Sequence, residues 1–202
     1  MPTAQVRGAY GARAEEYTTL LGSVSDLAEQ DRDTITAWAQ GVEGRVLDAG
    51  CGPGHWTRHL HELGILAEGI DLTPEFVEIS RARFPDVPFR VADLAALPVE
   101  SGALGGLLAW YSVIHTVPAE VPGLLNEFAR CLRPGGSLLL GFFTGERIEP
   151  FDHAIVTAYY WPVSAMGAAL DRAGFDVREV QTRTDPGTLP LASIVAERRI
   201  GG

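Results

Sequence analysis

The sequence predicts an α/β fold in which a mostly parallel sheet carries helices on both faces. From Gly44 onward, short apolar runs alternate with amphipathic stretches, which is typical of repeated β–α units. Leu104–Tyr111 is a continuous apolar run of strand length, as expected for a central parallel strand covered on both faces. The 202 residues suit one core, so we expect a single domain over 1–202.

The elements follow in order along the chain. Two helices, roughly Ala12–Leu21 and Ser25–Gln40, are expected to form an N-terminal cap over 1–42. Five parallel strands should then occupy 44–145, at Arg45–Asp48, Ile65–Ile70, Phe89–Asp93, Leu104–Tyr111 and Ser137–Phe143. Helices are expected after strands one, two, four and five, because apolar residues recur there at helical spacing. In that order their buried faces are Trp56, Leu60 and Leu63, then Phe76 and Ile79, then Leu125, Phe128 and Leu132, and finally Met166, Leu170 and Ala173.

The C-terminal part, 146–202, ends in two β-rich runs. Phe175–Thr182 and Leu191–Glu197 have only a loop between them, so they should pair antiparallel at the sheet edge. Gly145–Trp161, which precedes the last helix, matches neither a helix nor a strand pattern.

Composition excludes several classes of protein. The net charge is −10 and the basic residues are scattered, which disfavours a nucleic-acid partner. The N-terminus lacks the layout of a signal peptide, and Gly102–Val117 is too short to span a bilayer, so we expect a cytoplasmic protein without membrane contact. Cys51 and Cys131 are too few for a disulfide framework or metal cluster, so no metal is expected. The oligomeric state stays open.

A glycine turn follows the first predicted strand. Asp48 ends that strand, and Gly50, Gly52 and Gly54 stand at every second position before a helix. Glycine has no Cβ and tolerates positive φ, so a ligand can approach the backbone closely there. Asp48 at the mouth of the turn would repel a pyrophosphate but would accept a hydrogen bond from an ammonium group.

Two further acids end the next two strands. Asp71 ends strand two, where a carboxylate can accept from both hydroxyls of a ribose. Asp93 ends strand three, where it can accept from an exocyclic adenine amine. Ligands of doubly wound sheets bind at strand carboxyl ends, so the three acids favour an adenosine ligand over simple loop capping.

These residues carry a family resemblance. The segments are Val-Leu-Asp-Ala-Gly-Cys-Gly-Pro-Gly at 46–54, Gly-Ile-Asp-Leu-Thr at 69–73, Ala-Asp-Leu at 92–94 and Leu-Arg-Pro-Gly-Gly-Ser-Leu at 132–138. The series resembles that of class I S-adenosylmethionine (SAM)-dependent methyltransferases, in particular the small-molecule group with the type-11 methyltransferase domain. The resemblance implies a Rossmann-like sheet of seven strands, with the last strand inserted antiparallel beside strand five.

The resemblance also implies roles for residues of the cofactor site. The turn of Gly50, Cys51, Gly52 and Gly54 would line the methionine part of SAM, with Asp48 near its amino group. Further residues would contact the nucleoside or close over the cofactor: Asp71 on the ribose, Leu72 on adenine, Asp93 and Leu94 at the adenine edge, and Tyr10 and Tyr17 from the N-terminal helix. Both tyrosines could equally pack the cap on the domain.

The acceptor side is less defined. By analogy the stretch after strand four passes the methyl group, where Trp110 or Tyr111 could stabilise the cation by about 0.5–2 kcal/mol or simply pack in the core. Gly145–Trp161 is rich in aromatic residues and is expected to form an acceptor lid, or else a satellite hydrophobic cluster. Its candidate substrate-binding residues, besides Tyr111, are His153, Tyr160 and Trp161.

His115 is the candidate catalytic residue. It follows strand four, and an ordinary pKa near 6.5 would let it take a proton from a hydroxyl or amine acceptor, although it could instead bond to backbone. The predicted function is transfer of the SAM methyl group to an O, N or C nucleophile of a small molecule. The alternatives are a catalytically silent SAM-binding subunit and an NAD(P)-dependent oxidoreductase, whose Gly-x-Gly-x-x-Gly fingerprint the turn lacks.

Overall fold

The computed structural model describes residues 3–24, 28–185 and 187–200, with the side chain of residue 21 also left out. These residues form a seven-stranded sheet in the order β3-β2-β1-β4-β5-β9-β8 and a separate two-stranded hairpin, β6-β7. The strands are β1 Val46–Ala49, β2 Ala67–Asp71, β3 Phe89–Val91, β4 Leu104–Trp110, β5 Leu132–Phe143, β6 Glu149–Phe151, β7 Ala158–Tyr160, β8 Phe175–Arg183 and β9 Leu191–Arg198. The helices are α1 Thr3–Gly11, α2 Ala14–Leu21, α3 Glu29–Gln40, α4 His55–Glu62, α5 Pro74–Arg83, α6 Val121–Cys131 and α7 Val163–Arg172.

The sheet confirms the predicted fold class. Strands β1 to β5 pair in parallel, and β9 lies antiparallel between β5 and β8. The order reverses between β1 and β4, whose neighbouring connections leave the sheet in opposite directions. In doubly wound sheets such a reversal opens a crevice at the strand carboxyl ends.

Two hydrophobic clusters cover the two faces of the sheet. Leu125 and Phe128 of α6 and Met166 of α7 pack on one face. Ile35 and Trp38 of α3, with Trp56 and Leu60 of α4, pack on the other. Burying each such side chain stabilises the fold by about 1.5–3 kcal/mol. Three predicted helix positions were wrong: Leu63 is exposed, Val77 rather than Ile79 is buried on α5, and Leu132 begins β5 instead of belonging to α6.

The N-terminal cap contains one helix more than predicted. Helix α1 precedes the predicted first helix, buries no residue fully, and has a weak apolar face that the sequence pattern does not reveal. The predicted second helix corresponds to α3, and its predicted start at Ser25 lies outside the described residues. The proposed division of the chain at 42–44 and 145–146 stays a prediction.

The segment without a predicted structure forms the β6–β7 hairpin, with 152–157 as its loop. Strand β5 begins at Leu132, earlier than predicted, with a register shift against β4 before Gly106. None of the helices in the described part of the chain has the length and apolar character that a membrane crossing requires. The cytoplasmic location stays a prediction.

Candidate active site

A cavity of about 830 Å³ lies at the carboxyl ends of β1, β2 and β4, beneath α1 and α2. Small-molecule pockets span about 300–1,000 Å³, so this cavity can hold more than one small ligand. Most predicted site residues line it: Tyr10, Tyr17, Asp48, Gly50, Cys51, Gly52, Asp71, Leu72, Asp93, Leu94, Trp110, Tyr111, His115 and His153. Gly54, Tyr160 and Trp161 do not.

The three glycines after β1 have different surroundings. All three have positive φ. A Cβ on Gly50 would lie 2.3 Å from the Cβ of Ser112, so this glycine lets the chain leaving β4 pass closely. A Cβ on Gly52 would meet nothing within 4 Å, and Gly52 lines the cavity, so here the backbone is open to a ligand.

Gly54 is a correction to the predicted cofactor site. It precedes α4 in a left-handed conformation, and a Cβ there would lie 2.8 Å from the Phe89 ring and 2.8 Å from Ser80 Oγ. Its glycine is therefore required by the packing of α4 against β3 and α5, because no other residue type fits that space.

Asp48 is a buried carboxylate at the carboxyl end of β1. Thr57 Oγ1 donates to its Oδ2 at 2.7 Å from the first turns of α4. Burial raises the pKa of Asp48 to about 7. A cation beside Asp48 would offset that desolvation, so the site favours a positively charged ligand group at this point.

Asp71 braces the glycine turn as well as facing the cavity. Gly52 N–H donates to its Oδ2 and Thr73 N–H to its Oδ1, both at 2.8 Å. Burial raises the pKa of Asp71, whereas these two backbone donors stabilise its ionised form. Each carboxylate oxygen keeps a second lone pair for a ligand hydroxyl.

The remaining residues of this half of the cavity are arranged around the same loops. Asp93, two residues beyond β3, accepts from Ala95 N–H at 2.9 Å, so it shapes its own loop while lining the cavity. Leu72 and Leu94 offer apolar walls beside Asp71 and Asp93. Cys51 is buried, and burial raises the pKa of its thiol well above the ordinary value.

Tyrosines from the first two helices cover the cavity. The rings of Tyr10 and Tyr17 lie 5.8 Å apart, and both rings contact Phe76, at 5.9 and 5.4 Å. Phe76 is buried on α5 and also lines the cavity. The tyrosines therefore pack the cap on the domain and also line the cavity, and their closure over the cofactor stays a prediction.

His115 is held by hydrogen bonds on both ring nitrogens. Its Nδ1 donates to the carbonyl of Thr157 at 2.9 Å, which leaves Nε2 to accept from the Tyr10 hydroxyl at 2.8 Å. Burial lowers the pKa of His115 to about 4, so the ordinary value near 6.5 expected from the sequence does not apply. At neutral pH the imidazole is uncharged, and any proton reaching Nε2 must pass through Tyr10.

Tyr111 has a strained backbone at the mouth of the sheet. Its φ of 55° is the one positive value among the described residues other than glycine. Such strain costs about 1–3 kcal/mol and persists only when the surrounding structure imposes it. The Tyr111 ring contacts Trp110 at 5.3 Å and Phe143 at 5.4 Å, so two predicted residues and one missed by the sequence line this wall.

The hairpin segment reaches the cavity through its loop and not through its second strand. His153 lines the cavity, with its ring 5.2 Å from that of His115, and burial lowers its pKa. Tyr160 instead stacks on Phe151 across the hairpin at 4.2 Å. Trp161 belongs to the main core. These placements correct the expectation that Tyr160 and Trp161 face the acceptor.

Sequence reasoning missed several residues of the cavity wall. Thr3 and Val6 stand at helical spacing before the predicted Tyr10 on one face of α1, a signal too short to recognise without its partner elements. Missed residues from the other elements include Arg13, Glu16, Asp31, His55, Phe76, Phe143 and Ile155. Arg13 is fixed by Glu16 and by the carbonyl of Ala154, so it links α2 to the 152–157 loop.

The cavity is suited to a polar nucleoside ligand. The Ser112 hydroxyl and His55 Nδ1 are buried, line the cavity and have no protein partner. These two groups and the free lone pairs of Asp71 can form hydrogen bonds with a ligand. At Gly52 no side chain keeps that ligand away from the backbone. In the described residues, no group of His, Cys, Asp and Glu side chains could hold a metal ion. Fold and site thus define a doubly wound α/β protein with a ligand-sized cavity at the carboxyl ends of its parallel strands.

Comparisons with known proteins find methyltransferases. A family model described as a methyltransferase domain matches residues 46–136. Malonyl-[acyl-carrier protein] O-methyltransferase of Salmonella typhimurium is 28% identical over 132 residues, 65% of this chain and 50% of the relative. Demethylmenaquinone methyltransferase of Tropheryma whipplei is 27% identical over 181 residues, 86% of this chain and 74% of the relative. The chain thus spans half the length of the first relative and about three quarters of the second.

Solved structures share the fold over nearly the whole chain. The [4+2]-cyclase SpnF has a TM-score of 0.83 and 18% identity, covering 100% of this chain and 98% of its own. The 1,6-didemethyltoxoflavin-N1-methyltransferase of Burkholderia thailandensis, with S-adenosylhomocysteine bound, has a TM-score of 0.80 and 20% identity, covering 98% and 88%. At these identities the likeness shows the fold. Taken with the sequence motifs and the family model, these relatives support a class I SAM-dependent methyltransferase that uses SAM as its cofactor.

Proposed function

We propose that this protein transfers the methyl group of SAM to an O, N or C nucleophile of a small molecule. The observation that carries the proposal is that one continuous cavity joins the glycine turn and the strand-end acids to the wall of Tyr111, His115 and His153. Cofactor and acceptor can therefore meet inside one enclosure. Relatives named for O-methyl and N-methyl transfer share the fold or the sequence motifs.

The proposed role of this chain is mainly alignment. SAM supplies an electrophilic methyl group on a sulfonium. Asp71 would hold the ribose hydroxyls, Asp48 the amino group, and Leu72 with Leu94 the adenine, as the family resemblance implies. Tyr10, Tyr17 and Phe76 would exclude water above the transfer path. In-line displacement needs orientation and a dry site more than a dedicated acid or base.

His115 and Tyr10 are proposed to accept the proton that the acceptor releases. Tyr10 would take the proton from the acceptor while its own hydroxyl proton passes to Nε2 of His115. Because the pKa of His115 is about 4, protonating its imidazole at pH 7 costs roughly 4 kcal/mol of free energy. The step therefore suits a nucleophile that becomes cationic, and so acidic, once it is methylated.

Binding and turnover test the proposal separately. Calorimetry should show S-adenosylhomocysteine binding in the micromolar range, about −8 kcal/mol, and no saturable binding of NAD(P)H. Incubation with methyl-labelled SAM and a metabolite extract should yield a labelled small molecule. Tighter binding of a nicotinamide nucleotide would favour the oxidoreductase alternative. Cofactor binding without any labelled product would favour a silent SAM-binding subunit.

A further inference from the structure

The charge inside the cavity is strongly one-sided. Six carboxylates line it: Glu16, Asp31, Asp48, Asp71, Asp93 and Glu120. Among the described lining residues, Arg13 is the one side chain with a permanent positive charge. The sequence contains no lysine, and the residues outside the described ranges include no arginine.

Arg13 is already committed to other groups. Its Nε and Nη2 donate to Glu16 at 3.0 and 2.9 Å, and its Nη1 donates to the carbonyl of Ala154 at 2.8 Å. A ligand anion would have to displace one of these bonds. Arg183, on the neighbouring edge strand, pairs with Asp31 at 2.9 Å and does not line the cavity.

The imidazoles do not supply the missing charge. His115 uses both ring nitrogens within the protein, and Nδ1 of His153 accepts from Ile155 N–H at 3.4 Å. Burial lowers the pKa of His55, of His115 and of His153, so all three are neutral at pH 7. An acceptor carboxylate or phosphate placed among these side chains would lose its hydration without gaining a cationic side chain as partner, which disfavours its binding.

The walls of the same region are flat and aromatic. The ring of Phe143 lies 5.4 Å from that of Tyr111 and 5.9 Å from that of His153, and His153 lies 5.2 Å from His115. Ile114 and Ile155 complete this part of the wall. Four successive rings present faces and edges against which a planar ligand can pack.

We infer that the methyl acceptor is an aromatic or heteroaromatic molecule that enters the cavity uncharged, with a ring N–H or O–H as nucleophile. This inference rests on the proposed methyl transfer and names its substrate class. Acceptors whose reacting part carries a carboxylate or phosphate are excluded by the same charge distribution.

Paired probes test the charge preference directly. Calorimetry on protein saturated with S-adenosylhomocysteine should show that a hydroxynaphthoic carboxamide binds at least tenfold more tightly than the hydroxynaphthoate of the same ring. Equal or tighter binding of the carboxylate overturns the inference, and so does binding of neither probe. The preceding titration with S-adenosylhomocysteine separates these outcomes from failure of the proposed function, which would show as absence of cofactor binding.

A matched pair of variants tests whether the cavity charge is the cause. Ile155→Arg adds a cation to the cavity wall, whereas Ile148→Arg adds one at an exposed position outside the cavity. We expect Ile155→Arg to tighten carboxylate binding at least tenfold and Ile148→Arg to leave it unchanged. If Ile155→Arg folds, binds S-adenosylhomocysteine and shows no gain for the carboxylate, the inference is overturned.

Discussion

Single residues of the site have two tasks, one toward the ligand and one toward the fold. Asp71 is the clearest case, since its carboxylate fixes Gly52 and Thr73 through their backbone N–H groups and also faces the cavity. Gly50 and Gly52 each have one of these two tasks: Gly50 leaves space for Ser112, and Gly52 leaves the backbone open to the cavity. Substitutions at such positions therefore change stability and binding together, and both must be measured.

Asp71→Ala should weaken S-adenosylhomocysteine binding at least tenfold. Charge-assisted hydrogen bonds contribute about 1.5–3 kcal/mol each, and the variant loses those to the ribose as well as the brace on Gly52. Calorimetry gives the dissociation constant, and thermal unfolding gives the accompanying loss of stability. Asp33→Ala, which removes an exposed carboxylate of α3, is the control. An unchanged dissociation constant in folded Asp71→Ala would place the ribose elsewhere.

Asp48 should make cofactor binding depend on pH. Because burial raises its pKa from 3.8 to about 7, ligand-free Asp48 holds a proton below pH 7 that an adjacent ammonium group must displace. S-adenosylhomocysteine affinity should fall by up to about tenfold per pH unit below 7, and Asp48→Asn should remove that slope. The same shift favours the folded ligand-free chain at low pH, and this contribution is lost as pH rises from about 4 to about 7. If the affinity of the wild-type protein does not change between pH 5 and pH 8, the assignment of Asp48 is contradicted.

Tyr10 and His115 should behave as one unit. Tyr10→Phe and His115→Gln should each lower turnover about 10–100-fold. The double variant should be as active as the less active single variant, because each substitution breaks the same hydrogen bond. Since burial lowers the pKa of His115 to about 4, wild-type turnover at saturating SAM should show no acid limb near pH 6.5. His59→Gln is a matched control, because His59 bonds a hydroxyl, that of Thr36, outside the cavity. If the turnover losses of the two single variants instead add up in the double variant, Tyr10 and His115 act independently.

At the scale of elements, the start of α4 decides where the glycine turn points. Gly54 allows α4 to begin close to the Phe89 ring of β3, and the neighbouring Ser80 Oγ donates to the carbonyl of Gly52 at 3.1 Å. The N-terminal cap is held differently, through Tyr10 of α1, which bonds to His115, and Arg13, which precedes α2 and bonds to the 152–157 loop. Elements far apart in the chain thus close the cavity from opposite sides.

Gly54→Ala should destabilise the protein more than Gly64→Ala. Both glycines have left-handed φ, 82° and 79°, so both substitutions carry the same backbone cost of about 1–2 kcal/mol. Only the Cβ at 54 meets neighbours, at 2.8 Å, whereas that at 64 meets nothing within 4 Å. Overpacking should add about 1–3 kcal/mol, measurable by urea unfolding. Equal costs would show that the space beside Phe89 relaxes freely.

For the whole molecule, cofactor binding should raise thermal stability. The cavity is formed by the cap and the sheet together, so it exists only in the folded chain, and the ligand binds only that state. At a hundredfold excess over the dissociation constant, S-adenosylhomocysteine should add about 2.7 kcal/mol, or a rise in Tm of roughly 5–10 °C for a domain of this size. NADPH at the same concentration is the control and should leave Tm unchanged. A larger rise with NADPH would contradict the family's cofactor for this chain.

The sequence by itself determined the sheet, its antiparallel last strand and which strand ends line the cavity. Those features have local causes: apolar periodicity sets the strands and helices, and glycines and acids at strand ends mark where a parallel sheet binds ligands. Tertiary structure alone decided which partners Tyr111, His115 and His153 have in the cavity wall. Tyr10 and His115 are 105 positions apart, and their bond, like the reassignment of Gly54, Tyr160 and Trp161, depends on which elements meet in space. Burial then set the charge of His115 and Asp48, since desolvation depends on surroundings that no local pattern contains.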